Sequence, residues 1–473
     1  MVDRVLRAAL VAALAAAATA GCTSMAEHSR PELDLPAAEA ASPATLDRWW
    51  TLFGDARLTA LIDEALASNL DLRAAVARIE EARANLRIAR SFLFPTLDVT
   101  VDSSRRQNSE ATAFRQGPPF TSTTHSVGLA AAYEVDLWGR IASGRDAADR
   151  ALLATRYDAE TVRISLAAEV ATGYFTLLLA DAELALSRAT LATRDDNVRL
   201  QRARHDAGLV STFELRQAEA ERASVAATIP PLQQAVSLAQ SALAVLAGRT
   251  PREVFTPGVA RGTELETLAG APEVPPGLPS DLLARRPDIR RAEAALAAAE
   301  FRVAEARAQY FPSVVLTGTL GSESERLANL FSGPAAIWSI AGSLVQPIVA
   351  AGRISAQVDA AKARREQTEI AYVQAVQSAF RDVHDALVAH RGAREAFAAQ
   401  EDRRARVAET LKLAERRYRS GYSSYLEVLD AQRNLFSAER ERLVALRNRQ
   451  TALVSVYRAL GGGWEPQAFA SAE

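Results

Sequence analysis

Apolar residues recur at helical spacing over one long stretch, Ile141 to Asp206. Val170, Leu177, Leu184, Leu191 and Val198 are spaced by seven, and Leu179, Leu186 and Leu200 run two positions behind, broken at Thr193. That is a heptad seam with a second apolar flank, the pattern of a packed coiled-coil helix. Past Gly144 the stretch holds one Gly (Gly173) and no Pro, so nothing forces the helix to stop. At ~1.5 Å per residue a straight helix over it is roughly 100 Å long, deeper than a compact core. Two architectures fit: a solvated coiled-coil rod, or one stave of a long helical tube.

Before this helix the period changes. Asp55 is placed to cap a short helix through Ala67, and Asn69 and Asp71 to open another that runs to Ser91 before Pro95. From Leu97 to Asp102 apolar and polar residues alternate, and alternation returns from Ser126 to Leu137, predicting strands over 97–102 and 126–137 joined by a long polar loop. Beyond the long helix, Gly208 ends one helix and Ser211 or Thr212 starts the next, which reaches Gly248 and is expected to bend at Pro230-Pro231. Six prolines between Arg249 and Pro279 suggest a linker over 251–280.

The pattern then repeats. Asp71 matches Asp288 and Phe94-Pro95 matches Phe311-Pro312, while Gly139-Arg-Ile141 matches Gly352-Arg-Ile354 and Gly208, Glu214 and Ala218 match Gly421, Glu427 and Ala431. Strand alternation recurs over 313–320 and 337–346. A second long helix follows from about Ile354 to Arg419, with Val376, Val383, Phe397 and Leu411 in heptad register and His390 and Arg404 interrupting it. One architecture is built twice, over 55–250 and 281–464, with a tail at 465–473.

Composition narrows the class. Hydrophobic residues make up 49% and the net charge is −2, so a large core is affordable and no basic field for nucleic acid exists. Lys362 and Lys412 are the only lysines, and no function is drawn from that. The single cysteine excludes a disulfide framework. It follows Arg4, Arg7 and an apolar run from Ala8 to Ala20, which reads as a signal peptide over 1–21. Gly21-Cys22 resembles a bacterial lipobox, with Thr19 where that pattern has Leu, so a covalent lipid is expected on Cys22 and a tethered, extended segment over 22–54. Thr23 after the cysteine favours outer-membrane sorting. No stretch of ~18 unbroken apolar residues follows, which leaves short barrel strands as the route into a bilayer.

Four strands cannot close a barrel, which takes about eight or more, and an open edge is not tolerated in lipid. Strands in a membrane would therefore need partner chains. A small soluble sheet on a lipoprotein rod remains the alternative. Five segments decide for a family: Trp49-Trp50-Thr-Leu-Phe-Gly-Asp55, Asp136-Leu-Trp-Gly-Arg140, Ala207-Gly-Leu-Val-Ser211, Arg285-Arg-Pro-Asp-Ile289 and Tyr418-Arg-Ser-Gly-Tyr-Ser-Ser-Tyr-Leu-Glu-Val-Leu-Asp-Ala-Gln432. With them the chain resembles the TolC-like outer-membrane factors, within them the NodT-type efflux lipoproteins. The resemblance implies an α+β membrane protein: a homotrimer whose protomers each give four strands to a twelve-stranded outer-membrane barrel, above a coiled-coil periplasmic tunnel. It implies a periplasmic membrane-fusion adaptor and an inner-membrane pump, of the RND type, as partners. Efflux of drugs, solvents or metals is expected; a type I protein-secretion duct and a periplasmic scaffold lipoprotein are the alternatives.

The resemblance also assigns residues. Gly208, Leu209, Val210 and Ser211, with Gly421, Tyr422, Ser423 and Ser424, would be tips that meet the adaptor. Glu427 and Asp430, three apart on one helix face, would supply two carboxylate rings in a trimer, a cation-attracting pore constriction. Tyr418 and Glu214 match positions that hold the tip closed, and Ser423 stands where some lipoprotein members carry a gate Asp. No catalytic residues, metal ligands or cofactor are expected: the five histidines show no His-x-x-x-His pair, and neither Gly-x-Ser-x-Gly nor a phosphate loop is present.

Overall fold

The computed structural model describes residues 47–107, 109, 121–268 and 286–464. Cys22, the signal peptide and the C-terminal tail lie outside them. After a short 3-10 turn (Trp49–Phe53) come helices α1 (Ala56–Ser68) and α2 (Leu70–Ser91), strands β1 (Thr96–Gln107) and β2 (Thr121–Val135), and helices α3 (Arg140–Asp206), α4 (Thr212–Leu246) and α5 (Pro251–Phe255). The second half gives α6 (Pro287–Ala308), β3 (Ser313–Ser324), β4 (Ala336–Val345), α7 (Arg353–Arg419) and α8 (Tyr425–Ala459). Both long helices span 67 residues and both returning helices 35, as a duplication requires. The compact units do not follow the repeats. Among the described residues, one comprises Ile79–Thr155 and Arg291–Val373; the other comprises those up to Arg78, those within Arg156–Arg290 and those from Gln374 onward. Each long helix contributes to both.

In the first unit the four strands form one antiparallel sheet in the order β1-β2-β3-β4. The register aligns the alternation across all four strands. Val99 faces Leu129, which faces Leu320, which faces Trp338; two rungs away stand Leu97, Ala131, Gly318 and Ile340. The intervening rungs carry Asp98, Ala130, Thr319 and Ser339, with a 2.7 Å hydrogen bond between the last two hydroxyls. One face is therefore apolar and the other polar. The apolar face lies bare: Val101, Trp338 and Ile340 are 75%, 74% and 82% exposed. Gly128 pairs with Gly321 on the polar face, where a side chain at Gly321 would come within 2.3 Å of the Val127 carbonyl oxygen. The strands approach there too closely for any Cβ.

The strands outrun their alternation. β1 continues past Asp102 because Ser103 to Gln107 still pair with Thr121 to His125 through backbone hydrogen bonds. β2 stops before Leu137 because Asp136 turns to cap α3, accepting from the Ile141 and Ala142 N–H groups at 3.1 and 2.7 Å. The rest of that motif is accounted for as well. Arg140 pairs with Glu134 at 2.7 Å, and Trp138 donates to the Pro312 carbonyl at 2.8 Å while stacking on Phe311.

In the second unit the heptad seam of α3 is the core. Val170, Leu177 and Leu184 are buried, and Leu191 and Val198 half-buried. Trp49 stacks on Tyr457 and Phe53 meets Phe175 in the same cluster. One stretch of α3 is long and apolar enough to cross a membrane by length and composition, but most of it is buried, as in a core helix. The Pro-rich segment is not a free linker over its described part. Val259, Leu265 and Leu268 pack into the core, and the Gly262 and Thr263 N–H groups bond Tyr174 and Asp55. α4 runs through Pro230-Pro231 as one assigned helix.

Candidate functional site

The two helical hairpins of the second unit end in matching turns. Gly208 and Gly421 take φ of 69° and 77°, the left-handed conformation that ends a helix and suits glycine. Leu209 donates to the Arg204 carbonyl at 2.8 Å and Tyr422 to Arg417 at 2.9 Å, closing each helix the same way. Beyond the closure the turns diverge. Ser211 caps α4 and is bonded reciprocally by Glu214, whose carboxylate accepts from the Ser211 N–H at 3.0 Å. Ser424 makes no such cap, and Glu427 stands exposed. The repeat thus spends one glutamate on its own turn and leaves the matching one free. Asp430 is exposed one turn on, accepting only from Asn434 at 3.1 Å.

Apolar side chains stand out from both tips. Leu209 and Phe213 on the first, and Tyr422 and Leu426 on the second, are all more than half exposed. Phe213 and Leu426 were not singled out from sequence, although they occupy the same repeat position. Val210 and Ser423 are partly covered, and the Ser423 hydroxyl is buried without a partner.

Tyr418 ties the hairpins together. Its hydroxyl accepts from Arg204 at 3.0 Å and from Gln201 at 3.4 Å, the Arg204 guanidinium lies over its ring, and the ring packs against Tyr425. Burial pushes the Tyr425 hydroxyl up to about 12, so it stays protonated at any physiological pH. Within this chain Glu214 takes no part in that tie; its hydrogen bonds are the capping box. Below, an ionic cluster missed by the sequence reading holds Glu221 between Arg433 at 2.5 Å and Arg194 at 3.9 Å. Only burial could have revealed it, because the three residues come from three helices. Among the described residues no group of three His, Cys, Asp or Glu side chains could hold a metal.

The profile of the outer membrane efflux protein family matches residues 61–249 and 278–462, one span in each repeat. The chain belongs to this family. It is 35% identical over 460 residues to the toluene efflux pump outer membrane protein TtgC of Pseudomonas putida, covering 94% of each chain. It is 33% identical to the cation efflux system protein CusC of Escherichia coli, covering 95% of this chain and 97% of that one. The open-state crystal structure of the MtrE outer membrane channel of Neisseria gonorrhoeae superposes with a TM-score of 0.83 at 33% identity, over 93% of this chain and 98% of that one. This efflux protein is accordingly an outer-membrane channel subunit with the TolC-like fold, and the scaffold alternative is set aside. The family's members are channel proteins.

Proposed function

We propose that three copies of this efflux protein close a twelve-stranded barrel in the outer membrane and continue as a periplasmic tunnel, the exit duct of a tripartite pump. One observation carries the reading: a sheet with a bare apolar face, a polar opposite face and two unpaired edges, β1 and β4. Apolar rungs facing lipid and polar rungs facing a lumen is the order of a membrane barrel, and closure removes both edges. A covalent lipid at Cys22 anchors each protomer. The hairpin tips, with Leu209, Val210 and Ser211 on one and Tyr422, Ser423 and Ser424 on the other, meet a periplasmic membrane-fusion adaptor, and an RND-type inner-membrane pump supplies the energy. Glu427 and Asp430 form the cation-attracting constriction, because neither is consumed by a cap. Cargo is a small toxic compound chosen by the pump: similar chains carry names as different as toluene and cation efflux.

The test is single-channel conductance of purified trimers in planar bilayers, beside Glu427→Gln/Asp430→Asn. Small cation-selective currents that lose selectivity in the double variant are expected. No current from folded trimers, even after Tyr418→Phe loosens the tip, overturns the reading.

A further inference from the structure

A carboxylate buried between two guanidiniums fixes the helices that bear all three groups. Glu221 sits on α4, Arg194 on α3 and Arg433 on α8. Glu221 and Arg194 have side chains only 6% and 5% exposed, and the Arg194 Nε has no hydrogen-bond partner. Burial pulls the Arg194 guanidinium below its ordinary range, with the Glu221 charge opposing that. The cluster borders a groove of about 780 Å³ lined by parts of α3, α4, α7 and α8. Losing that negative charge would leave the buried Arg194 guanidinium uncompensated, beside Arg433, whose side chain is 51% exposed. Glu221 therefore ties the three helices to one another through these two ion pairs.

Arg433 lies one turn beyond Asp430 on α8, and the rotation of α8 about its axis decides where Glu427 and Asp430 point. Near the tip α8 is otherwise held by apolar packing, through Tyr425, Val428 and Leu429, rather than by polar ties. Ser424 does not cap it, and the Tyr425 hydroxyl and the Gln432 Oε1 are buried without hydrogen-bond partners. The Arg204–Tyr418 tie acts on α7 and reaches α8 only through the packing of the Tyr418 ring on Tyr425. We propose that Glu221 is the positioning residue of the pore constriction: through Arg433, and with Arg194 behind it, it sets the rotation of α8 that aims Glu427 and Asp430 at the channel axis. This rests on the channel reading above.

The test measures single-channel conductance and cation selectivity of trimers carrying Glu221→Gln, an isosteric change that removes only the charge. The expected result is a larger closed-state conductance and a loss of cation selectivity toward that of Glu427→Gln/Asp430→Asn. Added to that double variant, Glu221→Gln changes selectivity no further, because the groups it aims are already neutral. A merely structural glutamate would lower trimer stability and leave selectivity alone. If Glu221→Gln does not assemble, Arg433→Gln, which leaves Glu221 beside Arg194, is measured in its place and shifts selectivity the same way. Wild-type currents with unchanged selectivity in the assembled variant overturn this inference alone. A wild type that passes no current overturns the channel reading and this inference with it.

Discussion

His390 occupies a heptad position on α7 where the seam calls for an apolar residue, and it is buried. Its Nδ1 has no hydrogen-bond partner, and the charges that bear on it, Arg394 on its own helix and Arg449 on α8, are both positive. Burial first, then these two arginines, hold the imidazole below its ordinary ~6.5. The folded chain therefore binds this proton less readily than the unfolded chain does. A group with a depressed folded value contributes stability above the unfolded value, and that stability is lost as pH falls. Acidification below ~6.5 is expected to lower the melting temperature of the detergent-solubilised protein. Histidine 390 is responsible for part of that slope, so His390→Gln should melt with a shallower acid limb. The comparison of both proteins between pH 7.5 and pH 5 checks it; parallel curves would remove His390 as the cause.

At the scale of elements, the two hairpin turns are one design with different chemistry. Ser211 forms a capping box and Ser424 forms no side-chain cap. Ser211→Ala should therefore destabilise the start of α4 by about 1 kcal/mol, whereas Ser424→Ala should leave α8 nearly unchanged. Hydrogen exchange of the first-turn amides of each helix measures both, and equal protection losses would contradict the asymmetry. Sequence alone placed these turns, because Gly208 and Gly421 and the following serines sit at the same repeat positions. It could not tell which serine caps, since that depends on one rotamer. The long helices were legible for a similar reason: seven-residue spacing survives over about eight turns from Val170 to Val198. Strand ends were less so. Ser103 to Gln107 carry no apolar signal, yet backbone pairing to Thr121–His125 extends β1 through them. Segment 256–268 was hidden inside a Pro-rich stretch, although Val259 and Leu265 bury themselves in the helical core. The Glu221 cluster has no sequence signature at all, being assembled from residues far apart in the chain.

For the whole molecule, the decisive question is which face of the sheet meets lipid. Ile340 and Ser339 are adjacent on β4 and point to opposite faces, Ile340 with Gly318 and Ser339 with Thr319. Both are exposed in the single chain, so an isolated four-stranded sheet would accept a charge at either. A closed membrane barrel would not. An arginine on the lipid face near mid-bilayer costs about 2–4 kcal/mol, while the lumen face is solvated. Ile340→Arg should therefore reduce the amount of SDS-resistant, heat-modifiable trimer in outer-membrane fractions, and Ser339→Arg should leave the trimer intact. The pair differs by one position, so chain length, charge and helix content are held constant. Loss of trimer in Ser339→Arg alone would mean that the apolar rungs face inward, and the barrel would have to be turned inside out. Equal tolerance of both would mean that no lipid contacts the sheet, a result incompatible with a barrel of any order.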